Sequence, residues 1–169
     1  MSRRTLLGGV SSFAILKSQT IPGASRERLR AGLVGCGGRG TAAAVNLLTA
    51  DPNVELVAMA DVFEDKQTDS LRRLRDPQYI MSNVKNAAAF LGRPPDELAG
   101  SVAKRVNVAP DLQLVGFDAF KKLVASNVDI VLLTTPPGYR PEHFEAAINA
   151  GKHVFCEKPV ATDPAGIRR

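Results

Sequence analysis

The segment that most constrains the fold of this chain is the glycine-rich sequence GCGGRG at residues 35–40. It has the G-x-G-x-x-G spacing, and it lies between a short apolar run, Leu29 to Val34, and an alanine- and leucine-rich stretch, Thr41 to Ala50. A buried strand, a tight turn and a helix in this order begin a dinucleotide-binding unit, in which the pyrophosphate lies over free amides at the helix start. The turn residues predicted to bind the cofactor are Gly35, Gly37, Gly38, Arg39 and Gly40.

An acidic residue follows at the position that this unit requires. The second apolar run, Val54 to Ala60, ends at Asp61, which stands 21 positions after Gly40. A carboxylate at the end of the second strand accepts hydrogen bonds from the adenosine ribose hydroxyls and repels a 2′-phosphate. The sequence therefore favours NAD over NADP. It leaves open whether Arg39 faces the phosphates or solvent.

The rest of the chain alternates strand and helix patterns. Further strands are predicted at Gln113 to Gly116, Val128 to Thr135 and Lys152 to Cys156. Further helices are predicted at Glu64 to Arg75, Phe117 to Ser126 and Arg140 to Ala150. Residues 76–112 are interpreted as an insertion that is only partly helical, with a short helix at Asp96 to Val106. Apolar strands that alternate with helices predict an α/β fold, a Rossmann-type doubly wound parallel sheet with helices on both faces.

Charge and cysteine content exclude two other classes. The net charge of +5 resides entirely in residues 1–30, which hold six basic side chains and one acid, so residues 31–169 sum to zero. A nucleic-acid-binding protein needs its basic residues on a face of the folded domain, so no nucleic-acid partner is expected. Cys36 and Cys156 are too few for a disulfide framework or a zinc site, and we expect two small buried residues and no metal site.

Residues 1–27 are interpreted as a leader, and residues 28–169 as the dinucleotide-binding domain. Arg3 and Arg4 precede an apolar run of 12 residues, Thr5 to Leu16. The run is too short for stable membrane insertion, which needs about 20 residues. Paired arginines before such a run are typical of a twin-arginine export signal, which predicts a periplasmic protein. The alternative is an N-terminal extension of a cytoplasmic protein.

A second motif lies in the last third of the chain. It begins with TTPP at residues 134–137, continues through His143 and ends with AGKHVFCEKP at residues 150–159. Together with GLVGCGGRG at residues 32–40, this pattern closely resembles the Gfo/Idh/MocA oxidoreductase family over residues 29–166. The resemblance covers nearly all of the chain after the leader.

The resemblance implies roles for particular residues. Lys158 matches the family lysine thought to touch the substrate and to assist proton transfer from its hydroxyl, which makes it the candidate catalytic residue. His143 matches a family histidine in the next helix, for which a structural role at the helix start is favoured. The residues that match the loops along the cofactor ribose and nicotinamide are Thr135, Pro136, Pro137, Glu157 and Lys158.

The resemblance also implies a reaction and a second domain. Family members continue for about as long again into an open-sheet domain with most substrate contacts, and that C-terminal domain is absent from these 169 residues. We therefore expect the nucleotide-binding domain of a dehydrogenase that transfers hydride between a sugar or polyol and NAD, inactive by itself. The alternatives are NAD-dependent glycoside cleavage and a non-catalytic dinucleotide-binding module. Whether the complete enzyme forms a homo-oligomer stays open.

Overall fold

A computed structural model describes residues 28–169 of the chain. The predicted leader, with its paired arginines and apolar run, lies outside the described residues. Within residues 28–169, no helix is both long and apolar enough to cross a membrane.

The described residues form one five-stranded sheet in which every paired strand is parallel to its neighbour. The strand order is β3-β2-β1-β4-β5, so β1 lies at the centre and the order reverses between β1 and β4. This order is that of a Rossmann-type sheet and confirms the predicted fold class. The strands are β1 (Leu29–Val34), β2 (Val54–Asp61), β3 (Gln113–Val115), β4 (Ile130–Leu133) and β5 (His153–Cys156).

Helices cover both faces of the sheet because successive strand side chains point to opposite faces. Leu33 and Leu132 belong to an apolar cluster with residues of the first, third and fourth helices, whereas Val34 and Leu133 belong to a second cluster with residues of the fifth and sixth. The helices are α1 (Gly38–Ala50), α2 (Glu64–Leu74), α3 (Pro77–Leu91), α4 (Pro95–Ala103), α5 (Ala119–Ala125), α6 (Arg140–Asn149) and α7 (Pro164–Arg168), with a 3₁₀ turn at Pro110–Leu112.

The prediction that residues 76–112 are only partly helical, with one short helix, missed α3, which is a helix of 15 residues. The Asp76 carboxylate caps it by accepting a hydrogen bond from the Gln78 amide at 2.9 Å, and Pro77 occupies its first position. A left-handed glycine, Gly92, ends it at φ +63°. The predicted short helix also ends earlier than expected, at Ala103. The chain after it is held against β2, because the Leu56 amide donates to the Arg105 carbonyl oxygen and the Asn107 amide donates to the Leu56 carbonyl oxygen.

The boundary that matters most for function lies at the glycine-rich turn. The sequence places the helix start at Thr41, but α1 begins at Gly38. Gly38, Arg39 and Gly40 therefore form the first turn of the helix rather than the end of a loop. The strand predicted at Val128 to Thr135 is likewise shorter, so the two threonines after Leu133 lie beyond the end of β4.

Candidate functional site

An open cleft of about 560 Å³ lies at the carboxyl ends of the parallel strands. It is located where the strand order reverses, which is where ligands bind in open parallel α/β sheets. The sequence-predicted residues that line it are Gly35, Gly37, Gly38, Arg39, Asp61, Thr135 and Pro136. The sequence-predicted residues that do not line it are Gly40, Pro137, Glu157 and Lys158.

Two glycines of the turn allow close packing of the backbone. Gly35 adopts φ +93°, and a Cβ added there would lie 2.8 Å from the Thr135 amide nitrogen. A Cβ added at Gly40 would lie 1.9 Å from the Gly35 carbonyl oxygen and 2.7 Å from the Thr134 hydroxyl oxygen. Any side chain at Gly40 would therefore push α1 away from the turn and from the end of β4.

The glycines between them have a different environment. Gly37 has an ordinary backbone conformation, at φ −67° and ψ −177°, and it forms the N-cap of α1 without a side chain to cap the helix. A Cβ added at Gly37 or at Gly38 would meet no protein atom within 4 Å. Glycine at these positions leaves open space above the first amides of a 13-residue helix, and such amides bind phosphate. This open cradle fits a pyrophosphate.

The Asp61 carboxylate is held directly beside the turn. One oxygen accepts a hydrogen bond from the Cys36 amide at 2.6 Å, and the other accepts one from the Phe63 amide at 2.9 Å. An ionised carboxylate has about four acceptor sites, so it keeps capacity for ribose hydroxyls. The main chain therefore orients Asp61 at the edge of the cleft before any ligand binds.

The two cysteines are free thiols. Cys36 is buried and donates from its sulfur to the Ala60 carbonyl oxygen at 3.6 Å, and burial raises the pKa of its thiol. Cys156 is half-buried, and burial raises its pKa as well. The burial of Cys36 agrees with the predicted packing role, whereas Cys156 is only half-buried. No three His, Cys, Asp or Glu side chains within residues 28–169 are grouped as a metal site would require.

Arg39 has a partner that the sequence did not indicate. Its Nε donates to Oε1 of Glu157 at 2.7 Å, and its Nη2 contacts the same oxygen. The Arg39 side chain is 55% exposed, whereas that of Glu157 is 8% exposed. The hydrogen bond from Arg39 holds the pKa of the Glu157 carboxyl below its usual value. This ion pair joins the first turn of α1 to the loop that follows β5.

A second arginine that sequence reasoning missed holds the same loop. Arg140 is buried at the start of α6, and its Nε donates to the Thr135 carbonyl oxygen at 2.6 Å. Its Nη1 donates to the carbonyl oxygens of Glu157, at 2.8 Å, and Pro159. One feature of the sequence could have drawn attention to Arg140. It lies in the first turn of a predicted helix, where a cation interacts unfavourably with the helix dipole. Lys158 lies between these two anchored residues with an exposed side chain.

His143 connects α6 to the loop after β4. Its Nδ1 shares a hydrogen bond of 3.2 Å with the Thr135 hydroxyl, and its ring lies 4.0 Å from the Phe120 ring between centroids. Burial lowers the pKa of His143, so the neutral imidazole is favoured. These contacts agree with the structural role favoured from the sequence, although the residue also lines the cleft.

Comparison with known proteins identifies the family. Residues 29–169 match the Gfo/Idh/MocA oxidoreductase family, in the part described as its NAD-binding Rossmann fold. This chain belongs to that family. The cleft described above is thus the cleft of an NAD-binding Rossmann domain.

Two of the relatives are named as an inositol dehydrogenase and as a glycosyl hydrolase family protein. The chain is 35% identical to inositol 2-dehydrogenase of Agrobacterium fabrum over 96 residues, which are 56% of this chain and 28% of that protein. It is 28% identical to a glycosyl hydrolase family 109 protein of Streptomyces niveus over 142 residues, which are 83% of this chain and 23% of that protein.

A solved structure shows the same relationship. Scyllo-inositol dehydrogenase from Lactobacillus casei, with bound NAD(H) and scyllo-inositol, matches 83% of this chain with a TM-score of 0.53 and 26% identity. The match covers 31% of that protein. In each of these three comparisons, the matched part is less than a third of the relative's length.

Proposed function

We propose that this chain binds NAD in the cleft described above and serves an enzyme that transfers hydride between the nicotinamide and a hydroxyl-bearing carbon of a sugar or polyol. The observation that carries the proposal is the open cradle at Gly37 and Gly38, with the fixed carboxylate of Asp61 beside it. The cradle suits the pyrophosphate, and the carboxylate suits the hydroxyls of the adenosine ribose. Its negative charge favours NAD over NADP.

Five of the predicted residues lie in the loops after β4 and β5. Thr135 and Pro136 line the cleft and are suited to contact the nicotinamide half of the dinucleotide, with Pro137 in the same loop. Glu157 acts on this half indirectly, through its ion pair with Arg39. Gly40 contributes by packing rather than by contact with the ligand.

Lys158 is the residue we assign to proton transfer. Bound NAD would supply the hydride acceptor, and the neutral Lys158 amine would accept the hydroxyl proton, which leaves an ammonium group beside the substrate oxygen. The Lys158 side chain is exposed at the end of β5, where a substrate held by a second domain can reach it. The proposal therefore requires substrate contacts from outside residues 28–169.

Formation of NADH tests the reaction. An enzyme that contains this domain, incubated with NAD and a panel of inositols and hexoses, should reduce NAD in proportion to the sugar or polyol oxidised. The 169-residue chain alone should bind NAD and oxidise none of them. Sugar oxidation by the isolated chain would show that all essential groups lie within it, against the proposal.

NAD-dependent glycoside cleavage is the second candidate. The similarity to the glycosyl hydrolase family 109 protein over 83% of this chain favours it. In that reaction NAD is reduced and reoxidised within one cycle, so a glycoside would be cleaved without net formation of NADH. Release of free sugar at a constant concentration of NADH would show that the enzyme cleaves glycosides and does not act as a dehydrogenase.

We further propose that the enzyme is exported by the twin-arginine route. The support is the arginine pair Arg3-Arg4 before a short apolar run. Replacement of both arginines by lysine keeps the charge but removes the guanidinium groups. The double variant Arg3→Lys, Arg4→Lys should stay in the cytoplasm in a fractionation experiment, and an unchanged periplasmic yield would reject this route.

A further inference from the structure

Arg140 is an unusual residue in its place. It is only 6% exposed, and its three side-chain hydrogen bonds all go to main-chain carbonyl oxygens. Burial of a guanidinium group costs free energy, and a cation in the first turn of a helix adds an unfavourable interaction with the helix dipole. The positions of its hydrogen-bond acceptors indicate which part of the structure this buried arginine holds in place.

The three acceptors belong to two different loops. Thr135 follows β4 and lines the cleft, whereas Glu157 and Pro159 follow β5 and flank Lys158. A guanidinium group is planar and presents its donors in a fixed fork, so it holds these acceptors in one relative arrangement. The exposed Lys158 side chain therefore takes its position from a backbone that Arg140 anchors on both sides.

We propose that Arg140 is a positioning residue that fixes the Lys158 loop relative to the Thr135 loop, and so shapes the part of the cleft that receives the nicotinamide half of NAD. This inference rests on the proposed function. Arg39 holds the same loop from α1, because its ion pair fixes the Glu157 side chain while Arg140 holds the Glu157 carbonyl oxygen. Arg140 also lines the cleft, but its side-chain hydrogen bonds all go to main-chain carbonyl oxygens, so we assign its effect to the backbone and not to the reaction itself.

The chain offers a matched control in Arg105. This arginine is 5% exposed and also donates to main-chain carbonyl oxygens, among them those of Asp51 at 2.9 Å and Val54 at 3.0 Å. These acceptors lie at the start of β2 and in the turn before it, opposite to the end of the strand that borders the cleft. Loss of Arg105 should therefore destabilise the fold without altering the cleft.

The experiment compares Arg140→Gln with Arg105→Gln by calorimetric titration of NAD and of ADP. ADP carries the adenosine ribose and two phosphates but lacks the nicotinamide half. Arg140→Gln should lower the affinity for NAD by about tenfold, because the loops proposed to receive the nicotinamide half lose the charged hydrogen bonds that fix them. It should leave the affinity for ADP within about twofold. Arg105→Gln should lower the melting temperature and change neither affinity.

A second readout follows the Lys158 loop directly. Acetylation of Lys158 by acetic anhydride, measured by mass spectrometry, should be slowed by saturating NAD in the parent chain and in Arg105→Gln. In Arg140→Gln this protection should be reduced or absent. If Arg140→Gln does not fold, Arg140→Lys is used, since an ammonium group keeps the charge but cannot reproduce the planar fork.

The outcomes separate this inference from the proposed function. A parent chain that does not bind NAD would overturn both. A parent that binds NAD, with Arg140 variants that keep the parent's NAD-to-ADP affinity ratio and its protection of Lys158, would overturn the positioning role alone. Equal acetylation of Lys158 with and without NAD in the parent would also overturn it. If Arg105→Gln changed the affinities for NAD and ADP as Arg140→Gln does, general destabilisation of the fold would explain both variants, against the positioning role.

Discussion

The two kinds of glycine in the turn predict opposite results for substitution. In Gly37→Val, the new Cβ would meet no protein atom within 4 Å, and the backbone is already in a conformation that valine adopts. The cost to folding should stay within about 1 kcal/mol, which includes the poorer N-cap. In Gly40→Ala, the new Cβ would lie 1.9 Å from the Gly35 carbonyl oxygen, so the backbone must move.

The expected magnitudes differ accordingly. Overpacking at Gly40 should cost about 3 kcal/mol, which corresponds to a fall of about 6–12 °C in melting temperature at about 2–4 °C per kcal/mol. Gly37→Val should melt within about 4 °C of the parent. Its isopropyl group fills the space proposed for the pyrophosphate, so the affinity for NAD should fall at least about 100-fold, or about 2.7 kcal/mol.

Thermal unfolding and calorimetric titration with NAD measure the two effects separately. Gly100→Val serves as a matched control, because Gly100 lies in α4 outside the cleft and a Cβ there also meets no atom within 4 Å. It should keep the parent's affinity for NAD. The reasoning would be refuted if Gly37→Val bound NAD within about threefold of the parent, or if it lost as much stability as Gly40→Ala.

Three further residues give distinct predictions. Asp61→Asn keeps the shape of the side chain but removes the charge that repels a 2′-phosphate, so the ratio of NAD to NADP affinity should fall by about fivefold in competitive titrations, and an unchanged ratio would contradict this role. Because burial lowers the pKa of His143, protonation of this residue favours the unfolded state as the pH falls below about 6.5. The parent should therefore have a lower melting temperature at about pH 5.5 than at about pH 7.5. An equally large difference in His143→Gln would show that other groups cause the pH dependence. In an enzyme that contains this domain, Lys158→Ala should lower kcat by about 10²–10⁴-fold with little change in NAD affinity, and a near-normal kcat would exclude proton transfer by Lys158.

The sequence predicts those features of the fold and the site that depend on residues close together in the chain. The first strand, the glycine turn and the acid after the second strand lie within 33 consecutive residues, at spacings set by one supersecondary unit. Here β1 has the predicted bounds, Leu29–Val34, and β2 ends at the predicted acid, Asp61. The alternation of strands and helices likewise determines a parallel sheet with both faces covered.

The α3 helix could have been predicted from local signals in the sequence. Asp76 and Pro77 are an N-cap and a first helical residue as well as a turn dipeptide. Ile80, Val84 and Ala88 repeat every four residues and are the buried side chains of the helix, and Gly92 is its C-terminal glycine. The hydrophobic period therefore favoured a helix, and the flanking prolines obscured it.

The contacts between loops could not have been predicted in this way. Arg39 and Glu157 are 118 positions apart, and no spacing rule connects them. Arg140 follows Thr135 by five positions, but its hydrogen bonds to residues 157 and 159 exist only because β4 and β5 are neighbours in the sheet. Such pairings follow from the tertiary fold, which brings the ends of the strands together.

Direct titration of the 169-residue chain with NAD and with NADP tests the central claim. The cradle at Gly37 and the carboxylate of Asp61 predict that one NAD binds per chain, and that NAD binds more tightly than NADP. If the chain bound no NAD, or bound NADP more tightly, the assignment of the cleft and of Asp61 would be contradicted.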